Sequence, residues 1–177
     1  MTFVRTGAKN IHLTAECDAS FGADVPWHGG SRYGVLLRIN RQAAFEVEAK
    51  RTKTCCIGTM GAELFGMSQA CRSIEFYRNF LAELKHQQTE PTPLACDNQS
   101  AILTSESKTN SHKSRHLSLR YLYVQECVTE HKTVCLIPTK TTDLSADILT
   151  KPKEGRECFI NKWKIKKGLH TAPPAHM

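Results

Sequence analysis

Leu94-Ala95-Cys96-Asp97-Asn98-Gln99-Ser100-Ala101-Ile102-Leu103 passes from an apolar run to a set of capping side chains and back to apolar residues. Leu94 to Cys96 reads as a short buried strand. Asn98, Gln99 and Ser100 then offer acceptors for the first N–H groups of a helix running through Ala101, Ile102 and Leu103. Asp97 stands at the joint. In open sheets that contain parallel strands, ligands bind just outside the carboxyl ends of those strands, which is where this carboxylate is expected.

Working upstream, Pro91 and Pro93 follow the end of a long periodic segment. Leu64, Met67, Cys71, Ile74, Tyr77, Leu81 and Leu84 recur at steps of three and four, the apolar stripe of a helix of about 24 residues starting near Gly61. Before it lie three short apolar runs. In residues 11–18, Leu13, Ala15 and Cys17 alternate with Thr14, Glu16 and Asp18, as in a strand with one buried face. Tyr33 to Ile39 is a second run, after the turn-rich stretch Gly22 to Gly30. Ala43 to Val47 is a third, which Thr54 to Ile57 extends or follows. Runs this close predict an antiparallel meander.

Downstream, His116 to Val128 reads as a helix with Leu117, Tyr121, Val124 and Val128 on one side. Val134 to Ile137 is a last strand, stopped by Pro138. Asp143 to Thr150 predicts a short helix that finishes by Pro152. A meander followed by alternating strands and helices implies an α/β fold, a mixed sheet with helices packed on it. The 177 residues, 40% of them hydrophobic, suit a single domain. We place that domain at 1–170, with its core at 11–152 and a disordered tail at 171–177.

Lys and Arg number 24 against 17 for Asp and Glu, a net charge of +7. The excess is uneven, with 11 basic and 10 acidic residues in 1–97 but 13 and 7 in 98–177. A basic half beside a near-neutral half favours a polyanionic partner. No apolar run approaches a membrane span, and Arg38 interrupts Val35-Leu36-Leu37. The first residues lack the apolar core of a secretory signal. The chain is therefore expected to be soluble, intracellular and cytoplasmic. Its eight cysteines, mostly within apolar stretches, are expected to be reduced and buried rather than paired. His112 and His116 are spaced as in integrase-type zinc fingers, but no paired cysteines follow at a ligand spacing.

Four carboxylates fall where a structural role is hard to supply. Asp18 follows the first apolar run and Asp97 the fourth strand. Glu63 shares a helical face with Met67, Ala70 and Ile74, and Asp147 is flanked by Leu144, Ile148 and Leu149. Each has an ordinary explanation: Asp18 a turn residue, Glu63 a first-turn acid, Asp97 an N-cap, Asp147 a solvated residue. As a set they suggest a hard divalent cation, because clustered carboxylates repel unless Mg²⁺ or Mn²⁺ neutralises them.

These residues lie in segments that resemble the ribonuclease H domain of Ty1/copia-type retrotransposon polyproteins, over about residues 11 to 169. Cys96-Asp97-Asn98-Gln99-Ser100-Ala101-Ile102 resembles the family's "DNQSAI", and Asp143 to Pro152 its "xLADILTKP". Between them, Ser111 to Tyr121 resembles "HSRTKHIDIRY". Asp18-Ala19-Ser20 and the stretch from Lys50 to Leu64 match "DADW" and "KRQKTVALSSTEAEY" more weakly. The resemblance implies a mixed five-stranded sheet with strands 1–3 antiparallel, flanked by helices. It implies hydrolysis of the RNA strand of an RNA–DNA hybrid, leaving 5′-phosphate and 3′-hydroxyl ends.

The family's catalytic and metal-binding carboxylates fall on Asp18, Glu63, Asp97 and Asp147. They would hold two Mg²⁺ ions about 4 Å apart, replaceable by Mn²⁺, one for the attacking water and one for the leaving 3′-oxygen. By resemblance Asp18 bridges both ions, Glu63 and Asp97 complete one site, and Asp147 holds the other. Asn98, Gln99 and Ser100 are candidates to read the RNA 2′-hydroxyls, since short polar groups do so. Lys113, Arg115, His116 and Arg120 are candidates to track phosphates, against a merely solvated basic helix. Lys162, Lys164, Lys166 and Lys167 read as a solvated face packed by Phe159 and Trp163.

The sequence departs from the family at Ser20, where its pattern has a second Asp, and at Gly61, where it has a first Glu. Those changes predict a weakened helix start and admit a decayed copy that binds nucleic acid without cutting it. Integrase chemistry is the other alternative, with Glu130 following Asp97 at a suitable distance, but it leaves the segment around Asp147 unexplained. The length matches the ribonuclease H module alone. A polymerase domain upstream in a longer polyprotein, inside a virus-like particle, is thus the implied setting.

Overall fold

A computed structural model of the chain describes residues 11–22, 30–52, 56, 58–106 and 115–151. Strands β1 (Leu13–Ser20), β2 (Arg32–Ile39) and β3 (Ala44–Arg51) are followed by helix α1 (Gly58–Glu83). Then come β4 (Thr92–Cys96), α2 (Gln99–Glu106), α3 (Arg115–Gln125) and β5 (Val134–Pro138). A π-type turn, Glu126–Glu130, prolongs α3, and two 3₁₀ turns, Thr141–Asp143 and Ser145–Leu149, follow β5. The five strands form one sheet in the order β3-β2-β1-β4-β5. β1–β2 and β2–β3 pair antiparallel, whereas β4 runs parallel to both β1 and β5. The α/β class and the antiparallel meander are as expected.

The two faces of β1 carry different chemistry because successive side chains alternate across a strand. Leu13, Ala15, Cys17 and Ala19 enter the main core beneath α1 and α3, with Met67, Cys71, Ile74 and Val124. On the opposite face a smaller cluster of Leu36, Ala44, Leu144 and Ala146 packs with Ala95 and Leu149. The 3₁₀ turns thus cover the face that the helices leave open. Gly34 makes this possible, because a Cβ there would stand 2.5 Å from Leu149 Cβ.

α1 starts at Gly58, in the left-handed region at φ 78°, and Gly61 is buried in its first turn. Its first half is buried on nearly every side, from Gly61 to Ser68, where it crosses the sheet. Its far end is wetter, with Phe76 and Phe80 exposed and Leu84 beyond the last turn. The helix stops before the prolines. His86 N–H donates to Leu81 O at 2.8 Å and Lys85 N–H to Ala82 O at 3.0 Å, around a left-handed Lys85 at φ 66°. That is a Schellman ending with lysine in the usual glycine position.

Other expectations change in detail. Asp143 to Thr150 is not an α-helix but the two 3₁₀ turns, a form suited to short pieces pinned by tertiary contacts. Helix α3 gives way at Glu126 to a π-type turn. Cys17, Cys56, Cys71, Cys96 and Cys127 are unpaired and buried, as expected, but Cys135 faces outward from β5. Thr54, Cys55, Ile57, Lys113, the basic segment from Lys162, and the proposed tail lie outside the described residues. Among those described, no helix is long and apolar enough to cross a membrane.

Candidate metal-binding active site

Three elements deliver three carboxylates to one place. Asp18 lies on β1, Asp97 directly follows β4, and the parallel pairing of these strands brings their carboxyl ends to the same edge of the sheet. Glu63 reaches that edge from the second turn of α1. Asp18, Glu63 and Asp97 each offer a ligand atom within 4.8 Å of the others. Asp147 comes from the second 3₁₀ turn on the far face and is also buried. Its link to the cluster is Lys151, whose Nζ donates to Asp147 Oδ1 and lies 3.9 Å from Asp18 Oδ1.

The ordinary explanations for these four residues fail one by one. Asp18 is inside β1 and 1% exposed, so it is not a turn residue. Glu63 is past the first turn of α1. The N-cap of α2 is Asn98, whose Oδ1 accepts from Ala101 N–H at 2.9 Å, and not Asp97. Asp147 is 1% exposed, which excludes a solvated role.

The electrostatics follow from this crowding. Burial raises Asp18 to about 6; the Thr150 hydroxyl and Lys151 oppose that rise, and Asp97 and Asp147 add to it. Burial raises Glu63 further, to about 8, with repulsion from Asp18 and Asp97. Lys151 is lowered by burial but raised more by its bond to Asp147 and the field of Asp18, and the net shift holds it charged. Asp18 Oδ1 is buried and has no hydrogen-bond partner among the described residues. A hard cation fits this donor set, since it would bind that oxygen and balance the clustered carboxylates, which a single lysine does not.

Thr141, Thr150, Lys151 and Ser20 are site residues that single-residue reasoning did not pick out. Thr141 Oγ1 donates to Asp97 Oδ2 at 2.8 Å, Thr150 Oγ1 donates to Asp18 Oδ2, and Ser20 Oγ donates to the Thr150 carbonyl at 3.2 Å. Thr150 and Lys151 fall within the segment Asp143 to Pro152, the one sequence signal that points to them. Ser20, where the motif it resembles has Asp, bonds the residue that follows the Ser145–Leu149 turn.

The other candidates are less convergent. Gln99 and Ser100 are exposed at the start of α2, beside Asp97, while Asn98 is engaged as its cap. Arg115 and His116 open α3. Arg120 stacks its guanidinium 4.1 Å over the Phe65 ring, which ties α3 to α1. Glu130 is exposed at the end of the π-type turn and is not one of the clustered carboxylates, so the structure does not bring it to Asp97 as the integrase alternative requires.

Comparison with known structures gives the class first. LC11-RNase H1, isolated from compost by a metagenomic approach, superposes with a TM-score of 0.59 at 11% identity over 78% of this chain and 91% of its own. The same protein in complex with an RNA/DNA hybrid gives 0.54 at 8% identity, over 77% and 92%. The N-terminal RNase H domain of rv2228c from Mycobacterium tuberculosis gives 0.53 at 12% identity, over 88% and 99%. The fold is that of ribonuclease H.

No family model matches the chain. In sequence it is 28% identical over 145 residues, or 82% of its length, to the retrovirus-related Pol polyprotein from transposon TNT 1-94 of Nicotiana tabacum. It spans 11% of that relative's length. The resemblance drawn from the motifs is borne out: the chain has the ribonuclease H fold and is similar in sequence to part of a retrovirus-related Pol polyprotein.

Proposed function

We propose that the protein is a divalent-metal-dependent ribonuclease H that hydrolyses the RNA strand of RNA–DNA hybrids during reverse transcription of a Ty1/copia-type element. The observation that carries this reading is the meeting of Asp18, Glu63 and Asp97 from three separate elements, around a buried Asp18 oxygen without a hydrogen-bond partner among the described residues. Asp18, Glu63, Asp97 and Asp147 would hold two Mg²⁺ ions, or Mn²⁺ in their place. Bound there, such ions supply an activated water and stabilise the departing 3′-oxygen. Water adds to phosphorus, the P–O3′ bond breaks, and the products carry a 5′-phosphate and a 3′-hydroxyl.

The chain's own groups set the stage for that step. Thr150 and Thr141 fix the rotamers of Asp18 and Asp97 by donating to one oxygen of each carboxylate. Lys151 offsets part of the charge of Asp18 and Asp147 while no cation is present. Asn98, Gln99 and Ser100 are the groups we assign to the RNA 2′-hydroxyls, and Lys113, Arg115, His116 and Arg120 to the phosphates. A polymerase domain upstream and a cytoplasmic, particle-enclosed setting complete the reading.

Incubation of the purified protein with Mg²⁺ or Mn²⁺ and a labelled hybrid tests it. Cleavage of the RNA strand is expected, falling by about 100-fold or more in Asp97→Asn, as for loss of an electrostatic catalytic group. A hybrid left intact by folded protein overturns the reading. Salt-sensitive binding without metal-dependent cleavage selects a decayed remnant that retains only nucleic-acid binding.

A further inference from the structure

One buried ion pair stands outside the carboxylate cluster and touches the turn that carries Asp147. Glu16 and Arg38 face each other on the sheet surface opposite α1, with Arg38 Nε 3.2 Å from Glu16 Oε1 and side-chain exposures of 12% and 3%. Arg38 also donates from Nη1 to the Gln42 carbonyl at 3.0 Å. The other oxygen of Glu16, Oε2, accepts the backbone N–H of Ser145 at 2.7 Å. Ser145 is the first residue of the 3₁₀ turn Ser145–Leu149, and Asp147 is its third.

Glu16, Asp18 and Ser20 are alternate residues on one face of β1. Glu16 holds the front of the turn through Ser145. Asp18 and Ser20 hold its back through the Thr150 hydroxyl and carbonyl. Between these anchors the turn closes on Asp147 O, with 3.4 Å from Thr150 N–H and 3.2 Å from Lys151 N–H. Its place on the sheet is therefore set from β1, and Gly34 leaves the space it fills.

We propose that Glu16, charge-balanced by Arg38, is a positioning residue that holds the Ser145–Leu149 turn in register so that Asp147 presents its carboxylate to the metal cluster. The role rests on the nuclease reading for the identity of the cations, but the anchor itself does not.

Three variants of the full chain separate positioning from bulk stability. Glu16→Leu/Arg38→Met removes the acceptor without leaving a charge unpaired in the interior. Glu16→Gln/Arg38→Met keeps one acceptor oxygen for Ser145. Ser145→Pro removes the donor from the other side and, because its Cδ stands where the amide hydrogen met Glu16 Oε2, drives that carboxylate off the turn. Proline suits this first position because Leu144 before it is already extended, at φ −89° and ψ 112°.

Hydrogen exchange at the Lys151 amide, compared with amides of α1, reads the turn without metal. A Mn²⁺ titration followed by electron paramagnetic resonance reads the cluster. In Glu16→Leu/Arg38→Met and in Ser145→Pro, exchange at Lys151 should rise while α1 is unchanged. One of two Mn²⁺ ions should bind about 10-fold or more weakly, and the other as before. Glu16→Gln/Arg38→Met should restore both readings.

Unchanged exchange and binding in the first two variants overturn the proposal. So do a Gln variant that behaves like the Leu variant, equal weakening of both ions, global unfolding of Ser145→Pro, and a single Mn²⁺ site in the unaltered protein. Hybrid cleavage by the unaltered protein is scored separately. Its absence overturns the nuclease reading and leaves the Glu16 result standing.

Discussion

At the scale of single residues, the cluster is kept together at a cost that a cation would remove. Asp18 at about 6 and Glu63 at about 8 both titrate above the ordinary values of 3.8 and 4.5, so the folded chain binds these protons more tightly than the unfolded one. Their penalty is absent below the unfolded values and complete once pH passes the folded values. Stability of the metal-free protein is therefore predicted to fall, by several kcal/mol, as pH rises from about 4 to about 9. Chemical denaturation at a series of pH values checks this, and Mg²⁺ should recover stability most at the alkaline end. Glu63→Gln removes one of the two titrations; it should flatten the pH profile, raise metal-free stability at high pH and abolish hybrid cleavage. A steeper decline in Glu63→Gln would contradict the assignment. Glu63 also illustrates what residue-level reading can do: its spacing from Met67, Ala70 and Ile74 marked it as a buried acid. It could not reveal which carboxylates it meets, because α1 and β1 are joined only by folding.

Among the elements, the one that departs from its sequence pattern is the segment after β5. Leu144, Ile148 and Leu149 read as the apolar side of a short helix, yet the backbone takes 3₁₀ form because sheet contacts at Glu16, Gly34 and Asp18 fix it residue by residue. Gly34→Ala should expose that dependence. The new methyl would press on Leu149 and on the Ala146 carbonyl, and the expected loss is about 1–3 kcal/mol in denaturant unfolding. Cleavage should fall as well, since the displaced turn carries Asp147. A variant of unaltered stability and activity would mean that the turn shifts freely on β2. By contrast, α2 follows its local code: its cap, Asn98, is one of the three capping side chains that the opening stretch offers. The lesson is one of range: caps act within a single turn and are legible in sequence, whereas the 3₁₀ segment obeys partners more than 100 residues away.

For the molecule as a whole, the charge of +7 and its concentration after residue 97 predict hybrid binding dominated by phosphate contacts. If Lys113, Arg115 and Arg120 each neutralise one phosphate, the logarithm of the binding constant should fall against the logarithm of salt with a slope of about −2 to −3. Fluorescence anisotropy on a labelled hybrid, with the metal-free protein, measures it; binding indifferent to salt would remove these residues from the interface. The alternation of Leu13, Ala15 and Cys17, the periodicity of α1 and the strand-cap-helix joint at Asp97 were enough by themselves to determine an α/β fold with a meander, because they record which face each element buries. The motifs were enough to single out Asp18, Glu63, Asp97 and Asp147. Only the tertiary structure decided that Asp18, Glu63 and Asp97 share one site while Asp147 reaches it through Lys151, and that Glu16, paired with Arg38, accepts a bond from the last turn. The reason is physical: burial and periodicity are properties of one element at a time, whereas a site is set by distances between elements, and those exist only once the sheet has assembled.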